Sequence, residues 1–186
     1  WNVVLEDSGR EVSCPAGQNR RHSWADIFGR HANEAFCAWK HASYIQEMTE
    51  AGKEKFQVPY LMNVSIEINE CEAPALCYVS GGPVSRVMDK ITAPGITLFG
   101  PDIYLPAERD YRKACRAYAR PDNPLFIPET LNGGVGAAMN ILIAAAEYGA
   151  IGICCFGAES GIAGGKLLPE TREAAMSMNI LSSLAP

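Results

Sequence analysis

The stretch NPLFIPETLNGG, residues 123–134, decides how the chain is read. A short apolar run, Leu125 to Ile127, sits between Pro124 and Pro128 and leads to a single acid, Glu129, before the chain turns polar and glycine-rich. An apolar run bounded by turn formers predicts a buried strand. One carboxylate at the end of such a strand has two readings. It is a catalytic group at a sheet edge, or it belongs to a helix start, with Thr130 or Asn132 capping the next helix and Glu129 satisfying nearby amides.

Working outward, apolar runs alternate with amphipathic stretches. Residues 32–51 predict a helix with Phe36, Trp39, Ala42, Tyr44 and Ile45 on its apolar side and Gly52 as its stop. Strands are expected at 58–66, 95–104, 124–129 and 150–160, and helices at 85–91, 107–119, 133–149 and 169–184. Strands starting about 25–40 residues apart with helices between them are β/α units feeding a parallel sheet. Their nearly continuous apolar character suits strands covered on both faces. Each run ends in polar residues: Asn63 and Ser65, Asp102 and Tyr104, Glu129 and Thr130, Glu159 and Ser160. In parallel β/α folds the ligand site lies at that edge. Residues 67–83 are expected to form a long loop beside it. The fold class is therefore α/β, with 1–186 read as one piece of a (β/α)8 barrel, short of the usual length of about 250 residues.

Composition narrows the function. The net charge is −5 and basic clusters such as Arg20, Arg21 and His22 are short, which argues against a nucleic-acid surface. The longest apolar run, 137–156, is interrupted by Asn140, Glu147 and glycines, so no membrane span is expected. Seven cysteines, at 14, 37, 71, 77, 115, 154 and 155, lack the spacing of a disulfide framework and favour free thiols in a reducing compartment. Cys154 and Cys155 would point to opposite faces of a strand, poor geometry for one metal.

Among candidate residues Glu129 is the sharpest. Tyr104 and Asp102 end the preceding strand and could orient a carboxylate next door, or else pack and cap a turn. Asn63 interrupts an apolar strand, and a buried amide there must face a ligand or bond a loop. Glu159, in a glycine-rich loop, could pair with Glu129 as acid and base or form a salt bridge. His22, His31 and His41 all lie in the amino-terminal region, and His41, in the first helix, is assigned no role. No nucleophile elbow, P-loop or zinc-helix motif is present.

Taken in order, WADIFG, EAFCAWKHASYIQEMTEAGK, VPYLMNV, SGGPVSRVMD, GPDIYLP, NPLFIPET and AIGICCFGAESG resemble the β-galactosidases of glycoside hydrolase family 35 over nearly the whole chain, least so in residues 1–22. The resemblance implies a retaining (β/α)8 glycosidase of which this chain holds strands 5 to 8. It implies that Glu129 is the nucleophile at the end of strand 7 and that the Tyr104 hydroxyl bonds it. Asn63, Asp102 and Glu159 are then substrate-binding, the substrate is a β-galactoside, and no cofactor is implied. The family's acid/base, usually written Asn-Glu at a strand end, has no match before residue 58. Glu6 lacks the preceding asparagine, so the acid/base is expected upstream of Trp1 and the chain alone is expected to be inactive. The alternatives are a related retaining glycosidase of other specificity and a non-catalytic sugar-binding protein on the same scaffold.

Overall fold

The computed structural model describes residues 2–5, 10–13, 23–66 and 85–184. The chain divides into two compact units, Trp1–Thr97 and Leu98–Pro186. Both combine strands with helices. The expected loop at 67–83, the Arg20–His22 cluster, Glu6, His22, Cys14, Cys71 and Cys77 lie outside the described residues.

The first unit begins with an antiparallel pair, β1 (Asn2–Leu5) and β2 (Arg10–Ser13), with Asn2 opposite Ser13. Helix α1 (Trp24–Phe28) starts at a capping box: the Asp26 N–H donates to Ser23 Oγ at 3.2 Å, and the Ser23 N–H donates to the Asp26 carboxylate at 2.7 Å. After one 3-10 turn, α2 runs Ala32–Lys53. The face it buries is made of Ala35, Ala38, Ala42 and Thr49, with Glu34 among them. This differs from the expected apolar side, for Phe36 is 41% and Tyr44 61% exposed. Alanine carries no bulk past Cβ, so α3 (Ser85–Thr92) packs closely on α2, with Met88 against Phe28, Ala35 and Ala38. Gly52 does not stop α2. It lies inside the helix, where an added Cβ would fall 2.5 Å from the Tyr60 hydroxyl. Strand β3 (Leu61–Ser65) alternates, burying Met62 and Val64 and exposing Leu61, Asn63 and Ser65.

The second unit is a regular β/α succession: β4 (Leu98–Ile103), α4 (Glu108–Tyr118), β5 (Phe126–Thr130), α5 (Gly134–Tyr148), β6 (Gly152–Cys155) and α6 (Arg172–Leu184). Its strands lie in the order β4-β5-β6, all parallel. Phe99, Pro101 and Ile103 of β4, with Leu125 and Ile127 at β5, are buried; so are Tyr111, Cys115 and Tyr118 of α4 and Ile141 and Ala144 of α5. Full burial of an aliphatic side chain contributes about 1.5–3 kcal/mol, so these residues dominate the unit's stability. Burial also pushes the Cys115 thiol up to about 12, which makes it a packing group. Cys37, Cys154 and Cys155 are free thiols as well.

Asn123, the first residue of the opening stretch, is buried and fastens β5 to its neighbours. Its amide nitrogen donates to the Phe99 and Tyr118 carbonyls at 3.1 and 3.0 Å, and its oxygen accepts the Phe99 N–H at 2.9 Å. The strand expected over 150–160 ends at Cys155, because Gly157 is left-handed (φ 63°) and a 3-10 turn follows at Ala158–Gly161. A hairpin comes next, β7 (Ile162–Ala163) and β8 (Lys166–Leu167), turning on Gly164 and Gly165 at φ 55° and 74°. Two positive φ values suit the two-residue type I′ turn that only glycine or asparagine adopts readily. No helix among the described residues is long and apolar enough to cross a membrane.

Candidate active site

A strand that keeps strict alternation would put Glu129 on the same side as Leu125 and Ile127, which are 1% and 0% exposed. The structure avoids this with a β-bulge. Between β5 and β6, Ile127 pairs with Ile153 and Thr130 with Cys155, so three steps on β5 match two on β6. The extra residue lets Ile127 and Thr130 both face the helix-covered side, and Glu129 turns to the opposite face. Pro128 explains the placement, since a residue without an N–H is tolerated in an inner strand only where the ladder is interrupted.

Glu129 pairs in register with Asp102 of β4. Tyr104, two residues beyond Asp102, shares its face and donates its hydroxyl proton to Glu129 Oε2 at 2.7 Å. Desolvation raises the Tyr104 pKa first; the hydrogen bond to Glu129 and then the charges of Glu129 and Asp102 raise it further. The hydroxyl is therefore a fixed donor across the physiological range. Phe156, just past β6, meets the Tyr104 ring edge-on at 6.2 Å between centroids and is itself 61% exposed.

Side chains after the strands hold this rim together. Thr130 Oγ donates to the Ile103 carbonyl at 2.8 Å, and the Phe156 N–H donates to the Thr130 carbonyl at 2.9 Å. Asn132 Nδ2 donates to the Gly157 carbonyl at 3.1 Å. The helix-start reading fails for Thr130 and Asn132, because α5 is capped at Gly133 with no side-chain capping bond.

The structure thus brings Asp102, Tyr104 and Glu129 onto one face at the carboxyl edge. Glu159 lies apart from the strand end, exposed on the 3-10 turn after Gly157, and makes no ion pair among the described residues. Asn63 belongs to the first unit. It is exposed on β3 rather than buried, because alternation gives the covered side to Met62 and Val64. It lines a cavity of about 360 Å³ with His41, Thr49, Tyr60 and Ile96. Phe156 and the bulge were not foreseen from the sequence; a proline inside an inner strand was the available signal for the bulge.

Compared with models of protein families the chain matches none, and no curated protein matches it.

Proposed function

We propose that this chain carries the nucleophile side of a retaining glycosidase that releases terminal β-galactose, on the carboxyl-terminal half of a (β/α)8 barrel. The observation that carries the reading is the 2.7 Å hydrogen bond from the Tyr104 hydroxyl to Glu129 at the carboxyl edge of the parallel sheet. The motif order shared with glycoside hydrolase family 35 supports it.

In this mechanism Glu129 attacks the anomeric carbon and forms a glycosyl ester. A second carboxyl group, about 5–5.5 Å from the first, protonates the departing glycosidic oxygen and then activates the water that releases the sugar. The resemblance assigns that second group to no residue of 1–186. Tyr104 holds the Glu129 carboxylate in its attacking rotamer. A hydrogen bond to a charged acceptor is stronger than one to a neutral ester. The bond therefore weakens as the ester forms and strengthens again as the ester breaks, which favours turnover of the intermediate. Asp102, on the same face, is placed to accept sugar hydroxyls. Asn63 and Glu159 are carried as further sugar contacts by the resemblance alone.

The test uses the natural full-length polypeptide that carries this sequence. With an aryl β-galactoside, proton NMR of the first-formed galactose is expected to show the β anomer. First formation of the α anomer, or no turnover of any aryl glycoside, would contradict the proposal.

A further inference from the structure

We propose that Gly100 and Pro128 act together as a positioning pair that sets the direction of Glu129, and this rests on the reading of Glu129 as the nucleophile. Gly100 lies on β4 two residues before Asp102, on the sheet face that also bears Asp102 and Tyr104. A Cβ built at Gly100 would fall 2.8 Å from Pro128 Cδ, 3.0 Å from Pro128 Cγ and 3.0 Å from the Phe126 carbonyl oxygen. The space left by the missing side chain is filled by the proline ring at the bulge.

Two of these three contacts are to a closed ring, and a proline ring has no rotamer by which to withdraw. The third is to backbone. An added methyl group must displace the bulged segment itself, the segment whose next residue is Glu129. The hydrogen bond between Tyr104 and Glu129 spans β4 and β5 immediately beyond this contact, so a shift of β5 against β4 lengthens it. Gly100 and Pro128 touch no substrate in this account. They act through the direction of Glu129, and bulges beside active sites are known to re-aim side chains in this way.

The experiment compares Gly100→Ala, Pro128→Ala and the double variant in the natural full-length polypeptide, with ¹³C-labelled tyrosine to follow the Tyr104 phenol. In a folded Gly100→Ala protein the Tyr104 titration is expected to move down toward the ordinary phenol range. For an aryl β-galactoside, kcat is expected to fall about 100-fold, as for a misplacement of about 1 Å, with KM within about two-fold. Pro128→Ala removes the ring and restores an N–H to the ladder, and is expected to move the same titration even if Gly100→Ala does not fold. In the double variant, part of the kcat lost in Gly100→Ala returns, because the ring that the methyl group strikes is gone.

An unchanged Tyr104 titration in either folded single variant overturns the positioning role. The two proposals fail differently. A shifted titration where the unsubstituted protein turns over no aryl glycoside leaves the control of Glu129's direction standing but removes its catalytic purpose and defeats the glycosidase reading.

Discussion

Two carboxyl groups in this protein lie in opposite surroundings. Glu129 is half-buried at the end of a strand, on a face with exposed aromatic residues, and a tyrosine hydroxyl is already turned toward it. Asp89, on α3 of the first unit, is 1% exposed, its Oδ1 has no hydrogen-bond partner, and the equally buried Glu34 is nearby. Desolvation, then the charge of Glu34, raises Asp89 to about 8. Glu34 in turn faces His31 at 3.4 Å, and the Arg30 Nε–H donates to His31 Nε2 at 3.1 Å. A strongly shifted pKa marks a functional candidate only when a ligand can reach it, and Asp89 is almost wholly buried.

The contrast can be broken most sharply at Glu129 itself. Glu129→Gln in the natural full-length polypeptide is expected to lower kcat for an aryl β-galactoside by at least about 10⁴-fold, as nucleophile removal does in other covalent enzymes. Steady-state kinetics check this, and near-normal turnover would end the assignment. The same variant leaves the desolvation of Tyr104 in place but removes the carboxylate whose hydrogen bond and charge raise its pKa further. Its phenol should therefore titrate at lower pH by NMR, a result independent of any activity.

Tyr104→Phe comes next, with an expected loss of about 100-fold in kcat and a smaller change in KM, the range seen when one preorganised donor is removed. Equal effects on binding and turnover would instead make Tyr104 a sugar contact.

Asp89→Asn tests the other side of the contrast. Activity should stay within about two-fold, and the effect should appear in stability. The folded pKa is raised above the unfolded value near 3.8, so between about pH 4 and 8 the unfolded chain releases a proton that the folded chain keeps. Stability therefore falls as pH rises through that window. The uncharged asparagine removes this slope and should raise stability at pH 8 by on the order of 2–4 kcal/mol. Thermal unfolding from pH 4 to 8 checks it. A variant less stable than the parent at pH 8 would mean that the carboxylate is ionised and paired.

The β/α rhythm of the second unit was legible in the sequence because its periods are long and uninterrupted: α4, α5 and α6 each fall within the expected spans. The neighbourhood of Tyr104 and Glu129 was legible too, since parallel strands bring their carboxyl ends to one edge. Other features depended on tertiary contacts that periodicity does not encode. Gly52 reads as a helix stop, yet Tyr60 fills the space above it. Phe36 and Tyr44 read as core, yet α2 buries its alanines, because α3 approaches too closely for larger side chains. The β7–β8 hairpin had a local signal in Gly164-Gly165, but its strands are too short for alternation to stand out.

The most direct test of the central claim is covalent trapping. The natural full-length polypeptide is incubated with a 2-deoxy-2-fluoro-β-galactosyl inactivator, digested, and the labelled peptide sequenced by mass spectrometry. The account predicts one fluorogalactosyl ester per chain, on Glu129 within NPLFIPETLNGG. A label on any other residue, or time-dependent inactivation that persists in Glu129→Gln, would contradict it.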